Sequence, residues 1–482
     1  MMKNKFKHIY LSVLLAGMVL ISSCGKSFLD EEPSTSVSVS KGILTDSDMM
    51  EALAGLYRNL DNYFLFGRNA VVFGDLLADN VYLSSTNSSR LLTQYSYTFV
   101  AGSPEAKLLW SQSYYSILQA NRIIGARLNI NNNINQLRGE AYAIRALCYL
   151  NLVNWFATPY TVKPAADGVP LITRSTDIGG AFITPARSSV TQVYDQIISD
   201  LDSAYKIMPD VTPAIHATSS NFIAKYAVKA LQARAYLYKG DYANARDAAL
   251  LVVKNGGYTL AADDAGFNAY WSGAAARTDK LESIFELNNS AAANNGPEGL
   301  DYIYSRSGLG DLLVTDDTYA LYTATDKRRG LIIDGTRGSY QAYFVNKYQN
   351  AAKTDKDEIK ILRYAEVLLT LSESYARLGD EPNALLYLNQ VAQNRDNKLT
   401  AYTYTGTSLT DAILRERRKE LAFEGLRFFD LTRTNAEIAR QNMGVKGYTS
   451  YPTVKTTDFR RLQPIPEAET SANPNINQNP GY

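Results

Sequence analysis

The segment Arg415 to Arg433 holds the densest set of groups able to move protons or bind anions: Arg415-Glu-Arg-Arg-Lys-Glu420-Leu-Ala-Phe-Glu424-Gly-Leu-Arg427-Phe-Phe-Asp430-Leu-Thr-Arg433. On a helix Glu420 and Glu424 lie one turn apart, and Arg427 and Asp430 share a face. Paired carboxylates are what glycoside hydrolysis requires. Leu421, Phe423, Leu426, Phe428 and Phe429 are interleaved with these charges, however. Charges threaded through an apolar face are tolerated only when paired. The segment therefore reads as a structural ion network, with no motif supporting hydrolysis, and Arg363 with Glu366 reads the same way. Histidine is scarce: His8 lies near the N-terminus and His216 stands alone in a loop-like stretch. That argues against a histidine-rich zinc site and a Ser-His-Asp triad. No glycine-rich phosphate loop is present. The expectation is no catalytic residue, no metal and no cofactor. Lys and Arg number 49 against 48 Asp and Glu, so no broad basic face for nucleic acid is expected.

The two cysteines differ in setting. Cys148 lies in Ala146-Leu-Cys-Tyr-Leu150, an apolar helical context that suits a buried, inert thiol. Cys24 closes Ile21-Ser22-Ser23-Cys24, after an apolar run from Ile9 and a start carrying Lys3, Lys5 and Lys7. A basic start, a short apolar run and small residues at a cut make an export signal. A cysteine at the cut makes the pattern resemble a bacterial lipoprotein signal: residues 1–23 are removed and Cys24 is acylated. The alternative is an ordinary secreted protein with a chance cysteine. More than one acyl chain anchors stably, and no later segment approaches the roughly 18 apolar residues of a membrane span. The body is expected to stand outside the bilayer.

Residues 24–44 read as a lipidated N-terminus and tether, Ser-rich with an acidic Asp30-Glu-Glu32, and residues 45–482 as the folded domain. Thr45-Asp-Ser-Asp48 caps a helix through Leu53, Leu56, Tyr57 and Leu60. Trp110, Tyr114, Ile117, Asn121 and Ile124 mark a second, and Glu140 to Trp155 a third. Ser189 with Gln192 forms a capping box before a fourth, striped by Val190, Val193, Tyr194, Ile197, Leu201 and Tyr205. Two later stretches match. With Tyr236 set on Tyr375, Gly240 meets Gly379, Asp241 meets Asp380 and Ala245 meets Ala384. Helix, Gly-Asp turn and helix with a small residue at the crossing is tetratricopeptide-type patterning. From about 256 to 350 the helical period fades, aromatics become isolated and Ser283 to Leu287 suggests a short strand; the stretch reads as an irregular aromatic insertion. The proline-rich tail from Leu462 to Tyr482 cannot be a regular helix and is expected to dock back or trail as a mobile end.

Over nearly all of its exported length the chain resembles the RagB/SusD family of Bacteroidetes surface lipoproteins. The resemblance rests on Cys24 with Phe28-Leu-Asp30, on Trp110…Tyr114…Ile117…Asn121 and on Arg138-Gly-Glu-Ala141…Arg145-Ala146…Tyr149. It continues through Ile361-Leu-Arg363-Tyr-Ala-Glu366-Val367 with Glu373, through Arg415 to Leu431, and through Leu462-Gln-Pro464-Ile-Pro466 and Asn473 to Tyr482. It implies a mainly α-helical, SusD-like fold, with tetratricopeptide-like helices beneath a loop-rich ligand-binding part. It implies an outer-membrane, lipid-anchored protein facing the exterior, and a SusC-type TonB-dependent barrel as partner. It implies a non-catalytic protein that binds oligosaccharide or, in some members, peptide.

Ligand residues in the family sit in variable loops, so the candidates are positional. Tyr63, Phe64 and Phe66 follow the first helix, with Asp75 and Asn80 beyond; Trp271, Tyr302 and Tyr304 lie in the insertion. Aromatic rings offer plates to sugar faces, and Asn, Asp and Arg serve hydroxyls. The chain has 34 tyrosines, and packing between helices accounts for many of them. Two other readings remain beside glycan capture: a protein-interaction scaffold and a peptide-binding uptake lipoprotein.

Overall fold

The structure is a computed structural model that describes residues 42–175, 183–449 and 451–482. The export signal, Cys24 and the tether as far as Lys41 lie outside the described residues. The fold is mainly helical, as expected. Thr45 opens α1 (Asp46–Leu60) with a capping box: its hydroxyl accepts from the Asp48 amide, and the Asp48 carboxylate accepts from the Thr45 amide. Two short helices follow, α2 (Asn69–Leu76) and α3 (Leu92–Tyr95). α4 (Pro104–Gly125) then packs against α1 and α5 (Asn132–Phe156). α5 begins before the expected Glu140 because Asn131 caps it, accepting from the Ile134 amide. α6 (Val190–Ile207) carries the capping box expected at Ser189 and lies along α5.

Both predicted helical hairpins are present. They are α7 (Lys225–Lys239) with α8 (Tyr242–Asn255), and α12 (Tyr364–Arg377) with α13 (Glu381–Arg395). Gly240 and Gly379 take φ of 76° and 83°, the left-handed region that glycine enters freely. Asp241 and Asp380 then accept from the amides of Asn244 and Asn383. Ala245 and Ala384 are fully buried, which lets the helices approach, and α12 packs on α8, so the hairpins stack.

The 256–350 segment is more ordered than its sequence suggests. It holds α9 (Asp264–Ser272), β2 (Ser283–Leu287), α10 (Leu300–Tyr304), β3 (Leu312–Val314), α11 (Asp316–Tyr319), β4 (Ile332–Arg337) and β5 (Tyr340–Val345). β1 (Val81–Leu83) joins three of these strands in a sheet ordered β1-β3-β5-β4, with Val81 opposite Val314 and Asp334 opposite Tyr343. β2 is the expected short strand, and it pairs antiparallel with β6 (Ile359–Arg363). Strands of three residues show no readable alternation, and partners this distant leave no local signal.

α14 (Gly406–Glu420) packs on α12, and α15 (Arg427–Arg433) follows it. Glu420 and Glu424 are not on one helix: Phe423 and Gly425 turn left-handed, with φ of 68° and 78°. The turn lies against α2, where a Cβ on Gly74 would fall 1.9 Å from the Gly425 carbonyl oxygen. The ion network is real and buried. Glu420 accepts from Arg363 (2.9 Å), Arg395 (3.0 and 3.1 Å) and Arg328 (3.1 Å), and these guanidiniums hold its carboxyl well below the usual range. Glu424 accepts from Arg363 (2.8 Å) and Lys347 (2.5 Å). Arg363 and Glu366 do not pair with each other; Glu366 takes Arg234 at 2.5 and 2.6 Å. The tail docks. The Gln463 amide donates to the Trp155 carbonyl (2.8 Å) and Asn479 donates to the Phe156 carbonyl (2.9 Å). Between its prolines it winds one short helix, α16 (Glu467–Ala472). Two short strands, β7 (Ile438–Ala439) and β8 (Thr453–Val454), pair ahead of the tail.

Candidate functional site

The turn after α1 builds the most open aromatic feature among the candidates. The Asn62 side chain accepts from the Phe64 amide at 2.9 Å, a local Asx bond that favours a turn. It sets the Tyr63 and Phe64 rings side by side, centroids 3.9 Å apart and both half-buried. The Arg68 guanidinium lies 4.9 Å from the Tyr63 ring centroid, within cation–π range. Arg68 also pairs with Glu298, whose other oxygen accepts from Arg90 at 2.7 Å. Glu298 ends a single 3-10 turn, Gly296–Glu298, just ahead of α10 and its half-buried Tyr302. Asn295 donates to the Asp61 carbonyl at 2.6 Å and the Leu300 amide to the Gly67 carbonyl at 3.0 Å, so the two loops are knitted together. Tyr63, Phe64 and Tyr302 thus border one face, joined through Arg68, Glu298 and Arg90.

The other candidates lie inside. Phe66 is 8% exposed and lines a pocket of about 50 Å³ with Leu147, Asn151 and Phe429. Asp75 is fully buried and accepts from the Asn80 side chain (2.8 Å) and the amides of Phe423 (3.2 Å) and Gly425 (2.8 Å), pinning the turn after α14. Burial pushes its carboxyl up to about 6. Asn80 is equally buried and accepts from Arg418 at 2.9 Å. Trp271 is enclosed by Lys347, Arg363 and Lys360, 4.8, 5.2 and 5.3 Å from its ring. Tyr304 stacks on Tyr348 at 5.7 Å, fully buried. Isolated aromatics in an aperiodic stretch look exposed in sequence. Here β6, the segment after β5 and the turn after α14 cover them.

Carboxyls crowd beneath the two loops. Burial pushes Asp61 up to about 8 against the pull of Arg58, Glu358 up to about 7 and Asp301 up to about 6. Sequence reasoning missed Arg68, Arg90, Asn295 and Glu298. They are scattered polar residues, and only the fold brings them together. His216 is not isolated, since its Nε2 lies 2.8 Å from Glu140 and its ring stacks on Phe222 at 4.1 Å. The Tyr57 hydroxyl donates to the same carboxylate. Cys148 is buried and pushed up to about 12, the inert thiol expected of it. A groove of about 530 Å³ between α6, α7 and α8, lined by Asp195, Asp202, Lys206, Tyr236 and Lys239, shares no residue with the aromatic face. Among the described residues no helix is long and apolar enough to cross a membrane, and no group of three or more His, Cys, Asp or Glu is placed to hold a metal ion.

Comparison with known proteins places this architecture. Residues 316–482 match a model described as the SusD family, and residues 27–237 match one described as starch-binding associating with outer membrane. A SusD-like protein, P38, of Formosa agariphila is 24% identical, with 97% of this chain and 99% of that protein aligned. A crystal structure of a putative sugar binding protein from Bacteroides vulgatus superposes with a TM-score of 0.82 at 28% identity, covering 92% of this chain and all of that one. A SusD superfamily protein from Bacteroides thetaiotaomicron gives 0.79 at 29% identity, covering 91% and 100%.

Proposed function

Since the chain belongs to the SusD-like family, we propose that it is a non-catalytic outer-membrane lipoprotein that captures oligosaccharide and passes it to a SusC-type TonB-dependent transporter. Acylated Cys24 would hold it at the membrane and the tether would let the helical body face the exterior. The observation that carries the binding reading is the Tyr63–Phe64 pair, set beside Arg68, Arg90 and Glu298 on loops knitted to a rigid helical base. The rings present apolar faces to sugar carbons, and the charged groups reach hydroxyls from the side. Tyr302 completes the candidate face. Phe66, Asp75, Asn80, Trp271 and Tyr304 are buried and take no part in it. Binding without catalysis suits the Arg- and Glu-rich stretch, whose buried Glu420, Arg417 and Asp430 are engaged in ion pairs with Arg363, Arg395 and one another.

The test is calorimetric titration of the purified protein with oligosaccharides, repeated on a Tyr63→Ala, Phe64→Ala double variant. The expected result is saturable binding to intact glycan with no product released, weakened tenfold or more in the variant. Unaltered affinity would move the site elsewhere, and binding of peptides alone would replace the glycan reading.

A further inference from the structure

Five guanidinium groups border the aromatic face. Arg58 lies on α1 and reaches the Ala293 carbonyl, and Arg68 sits over Tyr63. Arg90 meets Glu298, and Arg337 donates to the Thr86 and Leu309 carbonyls, both at 2.6 Å. Arg306 is exposed on the loop after Tyr304 and makes no ion pair among the described residues. That loop belongs to the same surface, because the Leu309 amide donates to the Tyr302 carbonyl at 2.7 Å. Two carboxylates answer the five cations, Glu298 shared by Arg68 and Arg90 and Asp311 on Arg337; Asp61 lies beside Arg58, but burial pushes it up to about 8, so it is no full counter-charge at neutral pH. The positive excess is local, since the whole chain carries a formal charge of only +1.

The shared carboxylate is the informative feature. Each guanidinium has five N–H donors in a planar fork, and one carboxylate cannot occupy two such forks. The side chains of Arg90 and Glu298 are 37% and 34% exposed, so a solute can reach them, whereas that of Arg68 is 9% exposed and acts from behind them. A second anion arriving here would find donors already aimed and one competing carboxylate able to swing out to water.

From this arrangement we propose that the ligand is an acidic oligosaccharide, its carboxylate or sulfate ester taken by Arg90, with the charge of Arg68 behind it, while the sugar ring lies against the Tyr63–Phe64 pair. The proposal rests on the glycan-capture reading above and names the ligand class for that same face. Arg306 and Arg337 would extend the favourable field along a charged chain.

The experiment is an array of neutral, uronate-bearing and sulfate-bearing oligosaccharides together with acidic peptides, followed by calorimetry on the best binder and on maltotetraose. Acidic saccharides are expected to bind best, and the preferred group distinguishes uronate from sulfate. Raising salt from about 0.1 to about 1 M shortens the Debye length from about 10 to about 3 Å and should weaken the acidic ligand severalfold. Glu298→Gln, which removes the internal competitor, should raise affinity for the acidic ligand about threefold. Arg90→Gln should lower the ratio of acidic to neutral affinity by about threefold or more, and Arg306→Gln, at an exposed position, should shift it the same way. Binding confined to neutral glycans overturns the charge proposal and leaves glycan capture standing. Binding of peptides alone, or of nothing on the array, overturns both.

Discussion

Glu420→Gln separates a structural from a chemical role for the Arg415–Arg433 stretch. Four guanidinium nitrogens, from Arg328, Arg363 and Arg395, donate to the two oxygens of Glu420. Glutamine keeps one acceptor oxygen and turns an amide donor toward donors. It leaves the surrounding positive charge short of a buried partner. Removing one member of a buried pair costs about 3–5 kcal/mol. With about 2.1 cal/mol/K of unfolding entropy per residue, about 440 residues give about 0.9 kcal/mol per kelvin, so Tm should fall by about 4 °C. Differential scanning calorimetry reads this directly, with Arg415→Ala, at an exposed position on the same helix, as a control expected to move Tm by less than 1 °C. The prediction comes with a second arm, because oligosaccharide affinity at the Tyr63–Phe64 face should change little once the variant is folded. A Tm shift below about 1 °C for Glu420→Gln would rule out a stabilising role for this buried carboxylate. So would an unchanged Tm accompanied by loss of a measurable reaction.

Four further outcomes are expected. Asp61 is raised to about 8 by burial, whereas an unfolded aspartate titrates near 3.9, so the folded chain holds an extra proton between those values and stability falls as pH rises through that window; Asp61→Asn should flatten the decline in urea midpoint between pH 5 and pH 8, and a slope unchanged by the substitution would count against a buried neutral Asp61. Gly74→Ala drives a methyl into the Gly425 backbone and should lower the unfolding free energy by about 3 kcal/mol, read by urea denaturation. Gly55→Ala, where nothing lies within 4 Å and the site is helical, should stabilise by up to about 1 kcal/mol. Cys24→Ala should release the protein from the membrane fraction while leaving its circular dichroism and ligand affinity intact; firm membrane attachment of that variant without a barrel partner would remove the anchor.

Much of the helical frame was legible because its signals are local. The capping boxes at Thr45 and Ser189 and the Gly-Asp turns at 240 and 379 each involve residues within one turn of one another, and all are found where the sequence places them. The buried character of Arg417, Glu420 and Asp430 was also readable, since charges among phenylalanines must be paired. Their partners were not. Arg363 was set against Glu366 and instead faces Glu420 and Glu424 across the fold.

The candidate face shows the same division. Tyr63 and Phe64 follow a helix end in a polar turn and stay half-buried, whereas nothing in the neighbourhood of Trp271 and Tyr304 announces the groups that enclose them. Arg68, Arg90 and Glu298 carry no motif; residues separated by 208 and 230 positions become one cluster only when the 295–302 loop is laid against the turn after α1. By itself the sequence determined the periodic helices, their caps and the need to pair the buried charges. Tertiary structure alone decided which aromatics became core, which carboxyls were crowded beneath the loops and which arginines met at the surface. The physical reason is range: caps and helical stripes are contacts within a few residues, while burial and charge pairing are set by elements hundreds of residues apart that the chain brings together only on folding.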